Sequence, residues 1–259
     1  SSRCSRTAAR PRADPWGGGG GGREAAGVPS RAPSSIEHAV ACVIPAYNAA
    51  ASVGAVAREL RHSLPDGVLI VVDDGSTDGT AAAARAACDQ VISLSGNQGK
   101  GAALRAGFAA ALTCGARAIV TIDADGQHDP SFAPRLVAAL AHADIAVGAR
   151  PRVRGAMPLG RRLTNALASA AIGSIVRAPV ADAQSGFRAL RRCVVEQVRA
   201  AGDRYEFETA FLIRAVHAGF TLTAVEVPTI YGAPSHFRPW SDSLRVVRTI
   251  WRHRTGAPS

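Results

Sequence analysis

Ala118-Ile119-Val120-Thr121-Ile122-Asp123-Ala124-Asp125-Gly126-Gln127 is an apolar run that stops abruptly at a polar turn. Ala118 to Ile122 predicts a buried strand, and the turn sits at its carboxyl end. Two carboxylates one residue apart at such a place can share a hard divalent cation. Without one, crowding their charges is costly. Gln127 adds a neutral oxygen two residues on. A bare acidic pair of this spacing is also common in solvated turns where an acid caps a helix. The surrounding chain has to decide between the two.

Outward from this stretch the same pattern repeats. Ala39 to Ile44 is an apolar run ending at Pro45, followed by Tyr47-Asn48. Val68 to Val72 is another, ending in Asp73-Asp74-Gly75-Ser76, and Val91 to Leu94 is a third. Helices are predicted between them: Ser52–Ser63 from its periodicity, Thr77–Cys88 with Ser76 as its cap, alanine-rich Lys100–Thr113, and Pro130–Ala141 with Pro130 near its first turn. Ile145 to Val147 gives a fifth strand. Apolar strands alternating with helices predict an α/β fold with a mostly parallel central sheet flanked by helices. Ligands of such sheets sit beyond the carboxyl ends of the strands. The clusters at Tyr47-Asn48, Asp73-Asp74 and Asp123-Asp125 should therefore converge on one rim.

The second half is less regular. Gly160 to Val176 reads as helical, and Asp182 to Arg188 as a polar loop entering a short strand. Phe207 to Ala218 reads as an amphipathic helix closed by Gly219, and Leu222 to Val227 as a strand. Residues 1–37 hold six consecutive glycines, Gly17 to Gly22, with four prolines, and predict a disordered low-complexity tail. The folded domain is expected over 38–238. Residues 239–259 are expected to form a basic amphipathic helix and tail, with Leu244, Val247, Ile250 and Trp251 beside Arg245, Arg248 and Arg252. Such a helix suits a membrane interface or a packed surface equally well.

Composition narrows the function. With 259 residues, 47% hydrophobic, the chain can bury a sizeable core. The net charge is +10, and only one of the 30 basic side chains is a lysine, Lys100. Arg150, Arg152, Arg154, Arg161 and Arg162 carry no acid between them, which points to anionic partners such as phosphates or a lipid surface. Nucleic acid is not expected, since aromatic interleaving and a recognised motif are both lacking. No Gly-rich dinucleotide fingerprint follows the first strand. The five cysteines are odd in number and lack metal-ligand spacing, which favours a reducing compartment over a disulfide scaffold or zinc module. No apolar run approaches the roughly 18–20 residues of a membrane span. A cytoplasmic protein is expected, with peripheral contact at the cytoplasmic face of a membrane.

Five blocks in order carry a resemblance. They are Ile44-Pro45-Ala46-Tyr47-Asn48, Val72-Asp73-Asp74-Gly75-Ser76-Thr77-Asp78, Asn97-Gln98-Gly99-Lys100-Gly101, Asp123-Ala124-Asp125-Gly126-Gln127-His128-Asp129-Pro130, and Asp182 to Arg188. From about residue 40 to 245 the chain resembles the family 2 inverting glycosyltransferases of the GT-A nucleotide-diphospho-sugar transferase fold. It is most similar to the dolichyl/polyprenyl-phosphate sugar synthase branch. The resemblance implies a metal-dependent hexosyltransferase using Mg²⁺ or Mn²⁺ and a UDP- or GDP-linked sugar donor, with a polyprenyl phosphate as acceptor. Pro45, Tyr47, Asn48 and Asp74 match donor-binding positions, and Lys100 a loop near the donor. Asp123, Asp125 and Gln127 match the metal and diphosphate site. Arg150, Arg162 and Arg188 are implied to hold an anionic acceptor.

Members usually carry Glu after the Tyr-Asn pair, where this chain has Ala49. That departure leaves a catalytically weakened nucleotide-sugar-binding protein as an alternative, beside a transferase acting on a glycan hydroxyl. For a hydroxyl acceptor a general base is required, with Asp182 the first candidate. For a lipid phosphate the attacking oxygen is already ionised, and arginines would grip the phosphate. Asp182 also fits a turn acid paired with Arg188. Glu206 and Glu208 are further candidates for a base, or else acids favoured by a helix N-terminus.

Overall fold

The structure is a computed structural model and describes residues 40–149, 185–199 and 206–228. In chain order the elements are β1 (Val40–Ala46), α1 (Val53–Ser63), β2 (Val68–Asp73), α2 (Thr80–Arg85), β3 (Gln90–Ser93), α3 (Lys100–Thr113) and β4 (Ala118–Thr121). A 3₁₀ turn (Pro130–Phe132) leads into α4 (Ala133–Ala139) and β5 (Ile145–Ala149). After residue 184 come β6 (Arg188–Arg191), α5 (Arg192–Gln197), α6 (Glu206–His217) and β7 (Leu222–Glu226).

The strands form one sheet in the order β3-β2-β1-β4-β6-β5-β7. Alternation along β1 explains why it needs helices on both faces. Ala41 and Val43 enter one core with Ile70, Val72 and Ile119, covered by Leu104 and Phe108 of α3 and Phe207 and Phe211 of α6. Cys42 and Ile44 enter the other with Leu69, Val71 and Val120, covered by Val56 and Leu60 of α1 and Leu136 of α4. A strand buried on both sides reads as an unbroken apolar run, as these do. Gly107 lets α3 lie close on the sheet, since a Cβ there would fall 2.2 Å from Val43 Cγ1.

β1 pairs in parallel with β2 and with β4, and β2 with β3. β6 alone runs antiparallel to its neighbours β4 and β5. Reversal has a consequence for the rim. Arg188, the first residue of β6, lies opposite Thr121, the last of β4. The chain entering β6 therefore arrives beside the carboxyl end of β4.

Two expected boundaries move. The helix expected over Thr77–Cys88 is confined to Thr80–Arg85. Ser76 does not cap it; its hydroxyl accepts from Asn48 N at 2.9 Å instead, while Asp78 Oδ1 accepts from Thr80 N. The helix expected over Pro130–Ala141 splits into the 3₁₀ turn and α4, with Asp129 capping the turn through Ser131 N at 2.9 Å. The tail at 1–37, the helix expected over Gly160–Val176 and the C-terminal helix lie outside the described residues. Among the described residues no helix is long and apolar enough to cross a membrane.

Candidate functional site

Register brings the polar strand ends together. Ala46 pairs with Asp73, so β1 and β2 finish at one level, while β4 ends where Thr121 pairs with Val43, three residues before the end of β1. Two main-chain bonds extend the pairing past the strands, Asp74 N to Ala46 O at 2.8 Å and Ile122 N to Val43 O at 3.2 Å. Tyr47-Asn48, Asp73-Asp74 and Asp123-Asp125 thus leave the sheet on the same rim, as expected from the sequence.

Each cluster has its own internal order. Asn48 takes a left-handed conformation, φ 49°, which Asn tolerates better than most residues. Its Oδ1 accepts from Thr77 N at 3.0 Å, tying the first rim turn to the second. Asp78 reinforces the tie by accepting from Ala50 N at 3.1 Å and from Thr80. The Thr80 hydroxyl chiefly holds the Asp78 carboxyl below the usual carboxylate range. Ala49 itself donates its N–H to Thr80 Oγ1 at 2.7 Å. Pro45 is buried in β1, while the Tyr47 ring stays 37% exposed.

Asp74 is only 3% exposed. Its two oxygens accept from Gln98 N and Gly99 N, each at 2.8 Å. The carboxylate thereby fixes the entry to α3, where Gly99 takes φ 100°. Lys100 follows as the first residue of that helix. Its ammonium lies 2.6 Å from Asp123 Oδ1 and 3.0 Å from Glu208 Oε2. Burial by itself would lower this lysine's pKa, but Asp123 and Glu208 outweigh it and raise the pKa above its ordinary value. Lys100 is therefore a fixed cation at physiological pH.

Asp125 Oδ1 accepts from Gln127 N at 3.0 Å, which curls the turn after β4 and brings the Gln127 main chain back toward the acid pair. Among the described residues no group of three or more His, Cys, Asp or Glu side chains is placed to hold a metal ion. Two carboxylates and an amide still suit Mg²⁺ or Mn²⁺. Such ions are commonly held by one or two carboxylates, with waters and substrate phosphates completing the shell. The donor set is all oxygen, as a hard cation requires.

Gly186 lies directly against the Asp123 carboxylate. A Cβ there would sit 2.5 Å from Asp123 Oδ2 and 2.6 Å from Oδ1. Thr121 Oγ1 donates to Gly186 O at 2.8 Å and pins the loop in place. Phe187 is fully buried, with the His128 ring 5.6 Å from its own.

The residues assigned to the acceptor fare differently. Asp182, Arg150 and Arg162 lie outside the described residues. Arg188 is 4% exposed, and its guanidinium donates to main-chain carbonyls, Nε to Ser185 O at 2.7 Å and Nη1 to Glu208 O at 3.0 Å. Those bonds staple the first turn of α6 to the loop beside Asp123. Glu208 is 5% exposed and engaged with Lys100, an arrangement that serves as a counter-charge rather than a solvent-facing base. Neither the Glu208–Lys100 contact nor the Gly186–Asp123 approach was assigned from sequence. The available signals were the single lysine and a glycine inside the Asp182–Arg188 block.

Comparison with known proteins agrees with this geometry. The sequence model described as Glycosyl transferase family 2 matches residues 41–199. The polyprenol monophosphomannose synthase of Mycolicibacterium smegmatis is 33% identical over 202 residues, 73% of this chain and 76% of that protein. The undecaprenyl-phosphate mannosyltransferase of Micrococcus luteus is 32% identical over 205 residues, 74% of this chain and 83% of that protein. Glucosyl-3-phosphoglycerate synthase of Mycobacterium tuberculosis, solved with Mn²⁺, UDP-glucose and phosphoglyceric acid, superposes with a TM-score of 0.66 at 22% identity. The superposition covers 86% of this chain and 81% of that one, and shows a shared fold.

Proposed function

Because the chain belongs to glycosyl transferase family 2, we propose that it moves a hexose from a nucleotide-diphospho-sugar to a polyprenyl phosphate, with inversion at the anomeric carbon. Asp123 and Asp125, one residue apart in the turn that follows β4, carry this reading. The two mannosyl-transferring relatives supply the acceptor class.

The donor would lie across the rim. Tyr47 offers an exposed ring at the end of β1, suited to a nucleobase. Asp74 acts from beneath by holding Gln98 and Gly99, so that the α3 entry keeps its shape when the donor arrives. Asp123, Asp125 and Gln127 would hold Mg²⁺ or Mn²⁺. A divalent ion there supplies Lewis-acid neutralisation of the departing diphosphate. Lys100 adds a fixed positive charge at the same edge. A phosphate acceptor attacks with an oxygen already ionised at neutral pH, so no side chain has to remove a proton. Arg150 and Arg162 remain the proposed grip on its charge. A lipid acceptor and the basic segments together favour peripheral contact with the cytoplasmic face of a membrane.

The test uses the full chain with undecaprenyl phosphate in detergent micelles, Mn²⁺, and radiolabelled UDP- and GDP-sugars supplied singly. A lipid-linked sugar should form with one donor and vanish in excess EDTA. Asp125→Ala should lower its rate by at least about 10²-fold, with the melting temperature kept within a few degrees. Transfer to glycan hydroxyls with none to the lipid would overturn the acceptor, and full activity in EDTA the metal role.

A further inference from the structure

Glu208 is far from Asp123 in sequence but is joined to it through one side chain. The Lys100 ammonium bridges the two, 2.6 Å from Asp123 Oδ1 and 3.0 Å from Glu208 Oε2. Little solvent reaches the Lys100–Glu208 end, with side chains 14% and 6% exposed, while the Asp123 side chain is 25% exposed. We infer that Glu208 is a positioning residue: by holding the Lys100 ammonium from the α6 side, it sets how far that ammonium pulls on Asp123 and so fixes the carboxylate's aim toward the diphosphate edge.

Four observations support this. First, an ammonium contacting two carboxylates is drawn toward both, so each sets how close it comes to the other. Without Glu208 the ammonium is free to settle fully on the Asp123 oxygens, where it competes with any cation. Second, Asp123 has little freedom elsewhere. Gly186, pinned through Thr121 Oγ1, packs so tightly against the carboxylate that a Cβ there would clash. The carboxylate is held by a wall and a cation, and the cation's position bears on its orientation. Third, Glu208 is itself anchored, because Arg188 Nη1 donates to its main-chain carbonyl at 3.0 Å. Fourth, the lysine is chemically selective. A chain that uses arginine for every other basic side chain keeps its single lysine here. A compact ammonium can sit between two carboxylates from different elements, where a planar guanidinium would bind one of them in fork fashion.

The inference rests on the metal-and-diphosphate reading of Asp123 given above, and the test separates the two. Mn²⁺ uptake is followed by electron paramagnetic resonance in the presence of UDP and, separately, GDP. It is measured on the wild-type chain, Glu208→Gln, Lys100→Gln and the double variant. Glutamine is close in shape to glutamate, and melting curves confirm that each variant is folded. The wild type should hold Mn²⁺ with at least one nucleotide. Glu208→Gln should weaken that binding about tenfold, and the same change made on Lys100→Gln should alter it less than about twofold, the non-additivity expected when one residue acts through another. Unchanged binding in Glu208→Gln overturns the inference and leaves the proposed function standing. So does an equal weakening in both backgrounds, which would mean that Glu208 acts by its own charge. A wild-type chain that takes up no Mn²⁺ with either nucleotide overturns the proposed function, and the inference with it.

Discussion

Gly186 shows how narrowly the rim is built at the level of single residues. Its missing side chain is where the Asp123 carboxylate sits. The loop cannot retreat easily, because Thr121 holds its carbonyl and Phe187 is buried next to it. In Gly186→Ala the carboxylate must therefore swing away. Displacement of a reacting geometry by about 1 Å can cost about 10²-fold in rate. A loss of that order in kcat/KM is expected, with overpacking costing about 1–3 kcal/mol in a denaturant titration. Wild-type kcat/KM in this variant would mean that Asp123 tolerates another orientation. The Asp74 carboxylate illustrates a related point. Its residue type and its place after β2 were readable from the chain, but its bonds to Gln98 and Gly99 were not, since those partners lie on another loop.

Among the elements, α3 matters most to the site. It lies against the centre of the sheet and begins at Lys100. Gly107 permits this, so the helix can approach β1 at a distance that no side chain would allow. Gly107→Ala gains intrinsic helix propensity of about 1 kcal/mol but drives a methyl into Val43. We expect net destabilisation of about 1–3 kcal/mol by chemical denaturation, with α3 pushed outward and the Lys100–Asp123 contact lengthened. A variant more stable than wild type would show that α3 can shift without strain. The helix was legible over its whole length, Lys100 to Thr113, because alanine, its commonest residue, has the highest helix propensity. Helix α2 was not, because Asp78 and Thr80 bind the β1 turn and delay its start until Thr80. Strand β6 was expected as a short strand, but its antiparallel direction depends on pairing with β4 and β5, which no local pattern records.

At the scale of the whole molecule, Cys42 reports on the sheet's interior. It lies in the middle of β1, and burial pushes its thiol from 9.0 up to about 12. Below about pH 9 both folded and unfolded chains keep this proton, so it contributes nothing to pH dependence. Between about pH 9 and 12 the unfolded chain loses the proton and the folded chain retains it. Stability then falls as pH rises, by about 1.4 kcal/mol per unit. Denaturant midpoints from pH 8.5 to 10.5 should decline more steeply for the wild type than for Cys42→Ala; parallel slopes would contradict a buried neutral thiol. The sequence by itself determined the α/β architecture, the parallel half of the sheet and the convergence of three polar turns on one rim. Those features follow from local periodicity and from the rule that the carboxyl ends of parallel strands lie at one edge of the sheet. Only the tertiary structure decided that Glu208 faces Lys100, that Gly186 walls Asp123, and that Arg188 serves α6. Each of these is a contact between segments distant in the chain, and the spacing of residues along a chain carries no measure of such distances.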